Sequence, residues 1–594
     1  MQQSEAPVSV SFGVAELRLS DGTVVTPPTD GMTVFIGPNN SGKSLLLREL
    51  ATLIQHFPGT LEPRRWVAGI ELRSEGSSTD LIQWLNDRGH EARYDPVRQR
   101  TSLPNRPGER EPGPEVGQVE ALWSQRRIGE LSHLLVTFQQ TGDRLQNQTD
   151  SYHWDQSISP SHPTQALWES RERHAKFSGL FEAAFGEPIS INRFDPNFRL
   201  QVGSTGMDDT PPPAPPHLRE AYAKLPYLND QGDGMRAFVN LVLHTLVRPT
   251  PVIIIDEPEA FLHPPQARLL GKYLAMHTPS PCQIFVSTHS ADFLSGVLDG
   301  SSVRADQPHR PLALIRLSRT SSAHSAKTLA PELVEEILNS PLLRYSNIVS
   351  GLFHDGVVLC EAEGDCQFYE ATFDVVRGGG RHENLTFLHV NGKARLSDAA
   401  EKLRTCGIPT AVVADFDFLN DRTKLTQALS ALGGNWADVK EDFSILHEYA
   451  RSDVITKPAT EIKKSIAEII GNTRGKATLE QGKVDQIIEI LKTANNWKTL
   501  KKSGLGGLNG EIYRSTKRLL EYFAKRGIFV VPVGELECWV RSVSPSNKGQ
   551  WLRTVFEEGH YRSPIPELQI FAGQISSYLL GHATCAENCN VDTQ

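Results

Sequence analysis

The chain lacks several things that would have placed it quickly. Its 594 residues contain no run of 18 apolar residues of the kind a spanning helix needs, and Met1-Gln2-Gln3-Ser4-Glu5 is not a basic stretch leading into an apolar one. A soluble, cytoplasmic protein with no membrane partner is expected. There is no excess of positive charge either: 61 Lys and Arg against 70 Asp and Glu give −9. A protein that coats nucleic acid through global charge is thereby excluded, and any nucleic-acid contact has to come from local basic patches. Cysteine is sparse and scattered, with seven residues and no paired spacing beyond Cys585 and Cys589 at the tail. This excludes a disulfide framework and a zinc ribbon. Sustained heptads are missing between Ser44 and Gln231, where Pro104-Asn105-Arg106-Pro107, Pro112-Gly113-Pro114 and the proline run from Pro211 to Pro216 break the chain into loops. A long coiled-coil arm is excluded with them.

What is present is a complete phosphate-binding loop, Gly37-Pro38-Asn39-Asn40-Ser41-Gly42-Lys43-Ser44, between the apolar strand Met32–Ile36 and a helix beginning near Leu45. Strand, glycine loop and helix together make the match specific. Backbone N–H groups of Gly37, Asn39, Asn40, Ser41 and Gly42 can close around phosphate oxygens. Lys43 reaches the β/γ-phosphates and Ser44 is placed for Mg2+. Further on, Pro251–Ile255 is an apolar strand ending in Asp256 and Glu257. Asp256 is expected beside the metal and Glu257 beside a hydrolytic water. The string continues Pro258-Glu259-Ala260-Phe261-Leu262-His263-Pro264, and Ser287-Thr288-His289-Ser290 follows a second strand. The glycine-rich turn Asn229–Arg236, with Gly232 and Gly234, opens a helix from Met235 to Leu246 and is the candidate signature loop. Gln139 or Gln140, after the strand Leu134–Phe138, is the candidate Q-loop glutamine.

These blocks, in this order, resemble the ABC-type ATPases of the SMC, RecF and OLD (overcoming lysogenization defect) group. The resemblance implies ATP as cofactor, a γ-phosphate contact by His289, and hydrolysis at the interface of a homodimer or higher homo-oligomer.

A second acidic constellation follows. Val357–Cys360 reads as a strand running into Glu361, with Asp365 at the start of the next helix. Pro409–Ala414 continues into Asp415-Phe416-Asp417, read as a strand whose period-2 geometry points both aspartates to one side. A third strand, Gly527–Gly534, leads to Glu535 and Glu537, with Lys548 beyond. Clustered carboxylates suit Mg2+ or Mn2+. This half resembles the toprim fold of topoisomerases, bacterial primases and OLD nucleases, with Ala362 where the pattern has glycine. By position, the resemblance makes Glu361, Asp365, Asp415, Asp417 and Glu537 metal ligands, and Lys548 the residue that offsets charge on a phosphate; Glu535 competes with Glu537.

The expected architecture is α/β: an ABC-type ATPase domain over 1–345 with a helical insertion at about 75–225 offered for dimerisation, then a toprim Rossmann-like domain over 346–594 with a helical insertion at about 421–526. That second insertion concentrates Lys492, Lys498, Lys501, Lys502, Arg514, Lys517, Arg518, Lys525 and Arg526, a candidate phosphate track diluted by Glu480, Glu489, Glu511 and Glu521. ATPase followed by toprim is the organisation of OLD nucleases. It implies an ATP-regulated, metal-dependent DNA endonuclease in bacterial anti-phage conflict, of the Gabija-like or retron-associated type, with a co-encoded protein or RNA/DNA element as a further partner. The alternative is a non-cleaving ATP-gated DNA clamp or repair mediator of the SMC/RecF type, for which Ala362 speaks.

Overall fold

The computed structural model describes residues 10–585 apart from 61–64, 97–98, 106–112, 147–148, 208–215, 248–249, 278–280, 302–309, 320–323, 331, 334–335, 337–346, 378–383, 391, 393–394, 452–458, 472–479, 493–495 and 545–546. Cys589 and most of the proline run 211–216 lie outside the described residues. The chain divides into two compact units, Met1–Phe353 and His354–Gln594.

In the first unit, strand β1 (Ser11–Leu19) is followed by β2 (Gly31–Ile36), helix α1 (Lys43–Gln55), β3 (Val67–Glu75), β4 (Val136–Gln139), α2 (Asp233–Val242), β5 (Val252–Asp256), α3 (Pro264–His277), β6 (Gln283–Ser287), α4 (Ala291–Ser301), β7 (Leu312–Arg319) and β8 (His324–Thr328). The main sheet has the order β8-β7-β2-β6-β5-β4, parallel except for the β7/β8 pair. Val252, Ile253, Ile254 and Ile255 are all fully buried, which is why that run is continuously apolar: a central parallel strand is covered on both faces. Register sets Val34 between Val286 and Leu314, and Asp256 opposite Ser287. Gly37, Asp256 and Ser287 therefore emerge at one sheet edge, the carboxyl ends of parallel strands, where open α/β sheets bind ligands. A smaller antiparallel sheet pairs β1 with β3 and with Val24–Val25.

The insertion expected to be helical is mixed. Helices Pro163–Glu169 and Arg171–Phe185 are joined by a three-stranded antiparallel sheet of Ser151–Tyr152, Ile189–Asn192 and Asn197–Val202. Alternation hidden in short strands escapes a helical-period reading. The helix opened at Gly232 also ends earlier than expected, giving way to a π-turn over Leu243–Val247.

The second unit runs β9 (Gly356–Cys360), α5 (Glu363–Arg377), β10 (Leu385–His389), α6 (Leu396–Thr405), β11 (Thr410–Ala414), the insertion with α7 (Asn496–Ser503) and α8 (Gly510–Lys525), then β12 (Ile528–Val530), α9 (Lys548–Glu557) and α10 (Pro566–Cys585). The sheet is parallel, in the order β10-β9-β11-β12. Connections from β9 to β10 and from β10 to β11 leave in opposite directions, so the strand order reverses at β9/β11. A crevice forms at such a switch point, outside the carboxyl ends of the strands. Glu361 follows β9 and Asp415 follows β11, one on each side of it. Behind the sheet, α10 buries Leu568, Phe571, Ala572, Ile575 and Leu579 against Phe529 and Trp539. Each of the leucine, isoleucine and phenylalanine side chains stabilises the unit by ~1.5–3 kcal/mol.

Candidate functional site

The phosphate-binding loop is built by backbone torsions that few residues tolerate. Gly37 has φ 144°, Asn40 φ 63° and Gly42 φ 93°, and Gly42 caps α1 in the left-handed region. A Cβ at Gly42 would collide with the indole of the buried Trp66, so this glycine is required twice over. Lys43 is buried, and its Nζ donates to the carbonyls of Gly37 and Pro38 at 2.9 Å each, folding the ammonium over the loop. Burial pulls its pKa below the ordinary lysine value, against the carboxylates of Glu257, Glu259 and Asp256. Ser44 stands in the first turn of α1, while Asn39 and Asn40 are exposed at the loop's rim.

Opposite the loop, Ser287 Oγ donates to Asp256 Oδ1, and Glu257 turns off the strand with φ 47°. His289 Nδ1 lies 3.3 Å from both Glu257 Oε1 and Glu259 Oε1. Glu259 is fully enclosed and accepts from Thr288 Oγ1 at 2.7 Å and from the His289 amide at 2.9 Å. Burial pushes its carboxyl above the ordinary range. The hydrogen bond to His289 holds Glu257 below that range, and the same bond raises His289. Lys43, Asp256, Glu257 and His289 are thus brought to one locus. Gln139 is buried at the end of β4, beside Ile255 in register, whereas Gln140 is exposed. Gly234 backs onto the turn after the acidic pair, where a Cβ would come to 2.7 Å from the Phe261 carbonyl; Gly232 has open space around it.

One residue here was not legible in the sequence. Arg144 has no exposed surface, donates from Nη1 to Glu257 O at 2.8 Å and from Nη2 to Asp256 O, and its own carbonyl accepts from Asn240 Nδ2 at 2.8 Å. It ties the strand end that carries the acidic pair to the helix opened by the glycine turn. Burial lowers its pKa to about 10, so it stays charged at neutral pH.

In the second unit, α5 begins at Glu363, and the Ala362 amide donates to Asp365 Oδ2 at 3.1 Å. Lys548, the first residue of α9, places Nζ 2.6 Å from Asp365 Oδ1. Asp415 Oδ1 accepts from the Leu536 amide at 3.1 Å. Burial pushes the Asp415 carboxyl up to about 7; Lys548 opposes the shift, and Asp365, Asp417 and Glu361 add to it. Burial works against the Lys548 ammonium, but Asp365, Asp415 and Glu537 hold its pKa above the ordinary value. Glu361, Asp365, Asp417 and Lys548 therefore all sit within electrostatic reach of Asp415, and Glu537 acts on the same lysine.

Asp417 departs from the expectation. The strand ends at Ala414, and Asp417 lies in the 3-10 turn Phe416–Asn420 that Asp415 caps. Fully buried Phe416 and Phe418, with the Phe416 amide donating to Gly534 O at 2.7 Å, pull the chain out of the extended form. Asp415 and Asp417 are therefore not presented by alternation along one strand. Asp417 Oδ2 lies 3.3 Å from Lys501 Nζ, which is also 3.5 Å from Glu535 Oε2. Among the described residues, no three His, Cys, Asp or Glu side chains stand grouped as a ready-made metal cage. Asp365 and Asp417 each turn instead to a lysine.

Comparison with known proteins matches both halves. Residues 56–295 match the family described as "AAA domain, putative AbiEii toxin, Type IV TA system", and residues 352–417 match "Overcoming lysogenization defect protein-like, TOPRIM domain". The Old nuclease of Escherichia phage P2 is 29% identical over 180 residues, covering 29% of this chain and 28% of that protein, so the match spans less than a third of its length. Solved structures that the chain matches include an Smc head bound to the C-winged helix domain of ScpA (14% identity, TM-score 0.30, 54% of this chain and 98% of that one) and an SMC head domain from Thermotoga maritima (12%, 0.26, 53% and 99%). The fold is that of an AAA/ABC-type ATPase domain followed by a toprim domain. An AAA-type match followed by an OLD-like toprim match is the order of domains expected for the OLD group. No helix among the described residues is long and apolar enough to cross a membrane.

Proposed function

We propose that the protein is an ATP-regulated, divalent-metal-dependent DNA endonuclease that works as a homodimer or higher homo-oligomer in bacterial anti-phage defence. The observation that carries this reading is the juxtaposition of Glu361, Asp365 and Asp415, with Lys548, at the switch point of a parallel sheet, in a chain that also holds a complete phosphate-binding loop. A relative named as a nuclease, matched over part of its length, supports it.

The donor set fits a hard cation, since Glu361, Asp365, Asp415, Asp417 and Glu537 offer only carboxylate oxygen, and Asp415 is held near the point of losing its proton. Mg2+ or Mn2+ held by these residues would lower the pKa of a bound water and offset charge on a phosphodiester. Lys548 holds an ammonium beside the same carboxylates, where it can meet a phosphate oxygen that gains charge. The Leu536 amide fixes the orientation of Asp415. In the first unit, the loop with Lys43 and Ser44 would hold ATP, Ser44 and Asp256 would hold its Mg2+, Glu257 would polarise the hydrolytic water, and His289 would contact the γ-phosphate. Gly232 and Gly234 would face nucleotide on a second copy.

The test is supercoiled plasmid incubated with Mg2+ or Mn2+, with and without ATP. Relaxed or linear product from the wild type and none from Asp415→Ala is expected. Cutting that survives Asp415→Ala, or no cutting under any condition, sinks the reading.

A further inference from the structure

We infer that Lys501, delivered by the helical insertion, is a positioning residue of the acidic site: its ammonium bridges Asp417 and Glu535 until a divalent cation takes those carboxylates, and then turns to a phosphate of the DNA strand. The inference rests on the nuclease reading above.

The geometry is specific to one lysine. Nζ of Lys501 lies 3.3 Å from Asp417 Oδ2 and 3.5 Å from Glu535 Oε2, joining the turn after β11 to the loop after β12. Its neighbour Lys502 is exposed and enters no ion pair with them among the described residues. The backbone that carries Lys501 is pinned to the site from several sides. Leu505 N donates to Pro532 O at 2.8 Å, and Cys538 Sγ donates to Lys502 O at 3.3 Å. Gly504 (φ 54°) lies against the Pro532 carbonyl and Gly534 (φ 120°) against the Lys501 carbonyl, so close that neither position has room for a Cβ. The two glycines let the backbones approach this closely, which fixes the point from which the Lys501 side chain extends.

The side chain itself is not locked. It keeps 40% of its surface exposed, against 25% for Asp417 and 21% for Glu535. A lysine on a fixed backbone with a free flank is a compact charge with three rotatable donors, suited to a phosphate oxygen. Lys548 does the equivalent on the other side, pairing with Asp365. Two ammonium groups from different elements therefore flank Asp415. Since Asp417 cannot give the same oxygens fully to an ammonium and to a cation, the two must compete, and the displaced ammonium stays tethered beside the carboxylates it left.

Competition gives effects of opposite sign, which a merely structural lysine would not. In the full-length protein, Mn2+ binding without DNA is read by electron paramagnetic resonance of free Mn2+. Binding of a short duplex is read in Ca2+, with thermal melting alongside. Lys501→Gln is expected to bind Mn2+ about two- to fivefold more tightly, the scale of a partly exposed ion pair, and the duplex at least about threefold more weakly, melting close to wild type. Lys501→Arg should restore duplex affinity, and Lys502→Gln should leave Mn2+ affinity unchanged. Unchanged or weaker Mn2+ binding by Lys501→Gln, or unchanged duplex binding, overturns this inference alone. If the wild type shows no Mn2+ binding that Asp415→Ala removes, the nuclease reading fails and this inference with it.

Discussion

Lys548 Nζ lies 2.6 Å from Asp365 Oδ1, so the first residue of one helix meets the first turn of another across the acidic crevice. The carboxylate is buried, while the lysine side chain keeps 37% of its surface exposed. Lys548→Ala leaves the buried Asp365 carboxyl without its counter-ion. Breaking such a partly exposed pair should cost about 1–2 kcal/mol, between the surface and buried limits. Urea unfolding is expected to register that loss, and Asp365→Asn in the same background to recover most of it. Plasmid cleavage by Lys548→Ala should fall by ~10–100-fold, because an ammonium no longer faces the phosphate. A variant with full cleavage and full stability would leave the ion pair without a role.

Arg144 carries a second prediction, because its guanidinium holds the acidic strand end while its backbone carbonyl accepts from Asn240 of α2. Arg144→Ala removes donors from the carbonyls of Asp256 and Glu257 inside the unit. A destabilisation of ~1–2 kcal/mol is expected from the lost hydrogen bonds, since Thr141 Oγ1 still donates to the Asp256 carbonyl and the Ala260 amide to that of Glu257. ATP turnover should drop by ~10-fold or more, since a small displacement of Glu257 is enough to spoil alignment of water. Arg144→Lys should not rescue it, as a point charge cannot serve two carbonyls in a fixed fork. Wild-type turnover by Arg144→Ala would refute the positioning role.

The contrast between these residues shows what a sequence exposes. The phosphate loop, Asp256 and Glu361 were legible because each follows a strand buried on both faces, whose apolar run stops at the ligand edge of the sheet. Asp415 was legible for the same reason, but Asp417 was misplaced by assuming that the strand continued past Ala414. Burial of Phe416 and Phe418, a tertiary effect, ended it. Arg144 sits in Asp143-Arg144-Leu145, a short polar turn that reads as surface, and only long-range carbonyls explain its burial. Lys501 was hidden in the opposite way, as one of many basic residues in a helical stretch. The edge strand Leu385–His389 is short and carries a polar flank, so it offered no continuous apolar run.

His289 sets a pH dependence. Its bond to Glu257 raises its pKa in the folded protein above the unfolded value of about 6.5. A raised histidine contributes stability that is complete below the unfolded pKa and lost as pH rises through the folded one. Thermal melting of the nucleotide-free protein should therefore decline from about pH 6.5 upward more steeply for wild type than for His289→Asn. The difference should be modest, since the side chain is 43% exposed. Parallel pH profiles for the two proteins would count against the His289–Glu257 bond.

The switch and the acidic crevice are built by separate sheets, and this predicts that they fail separately. Lys43 closes over the carbonyls of Gly37 and Pro38, contacts internal to the phosphate loop, while Asp415 is fixed by the Leu536 amide in the other unit. Lys43→Ala should abolish binding of a fluorescent ATP analogue while Mn2+ binding at the carboxylates stays within about twofold of wild type, a difference of under ~0.5 kcal/mol. Asp415→Ala should do the reverse, losing that Mn2+ binding and keeping the nucleotide. If either change removes both ligands, then the loop and the carboxylates belong to one cooperative site.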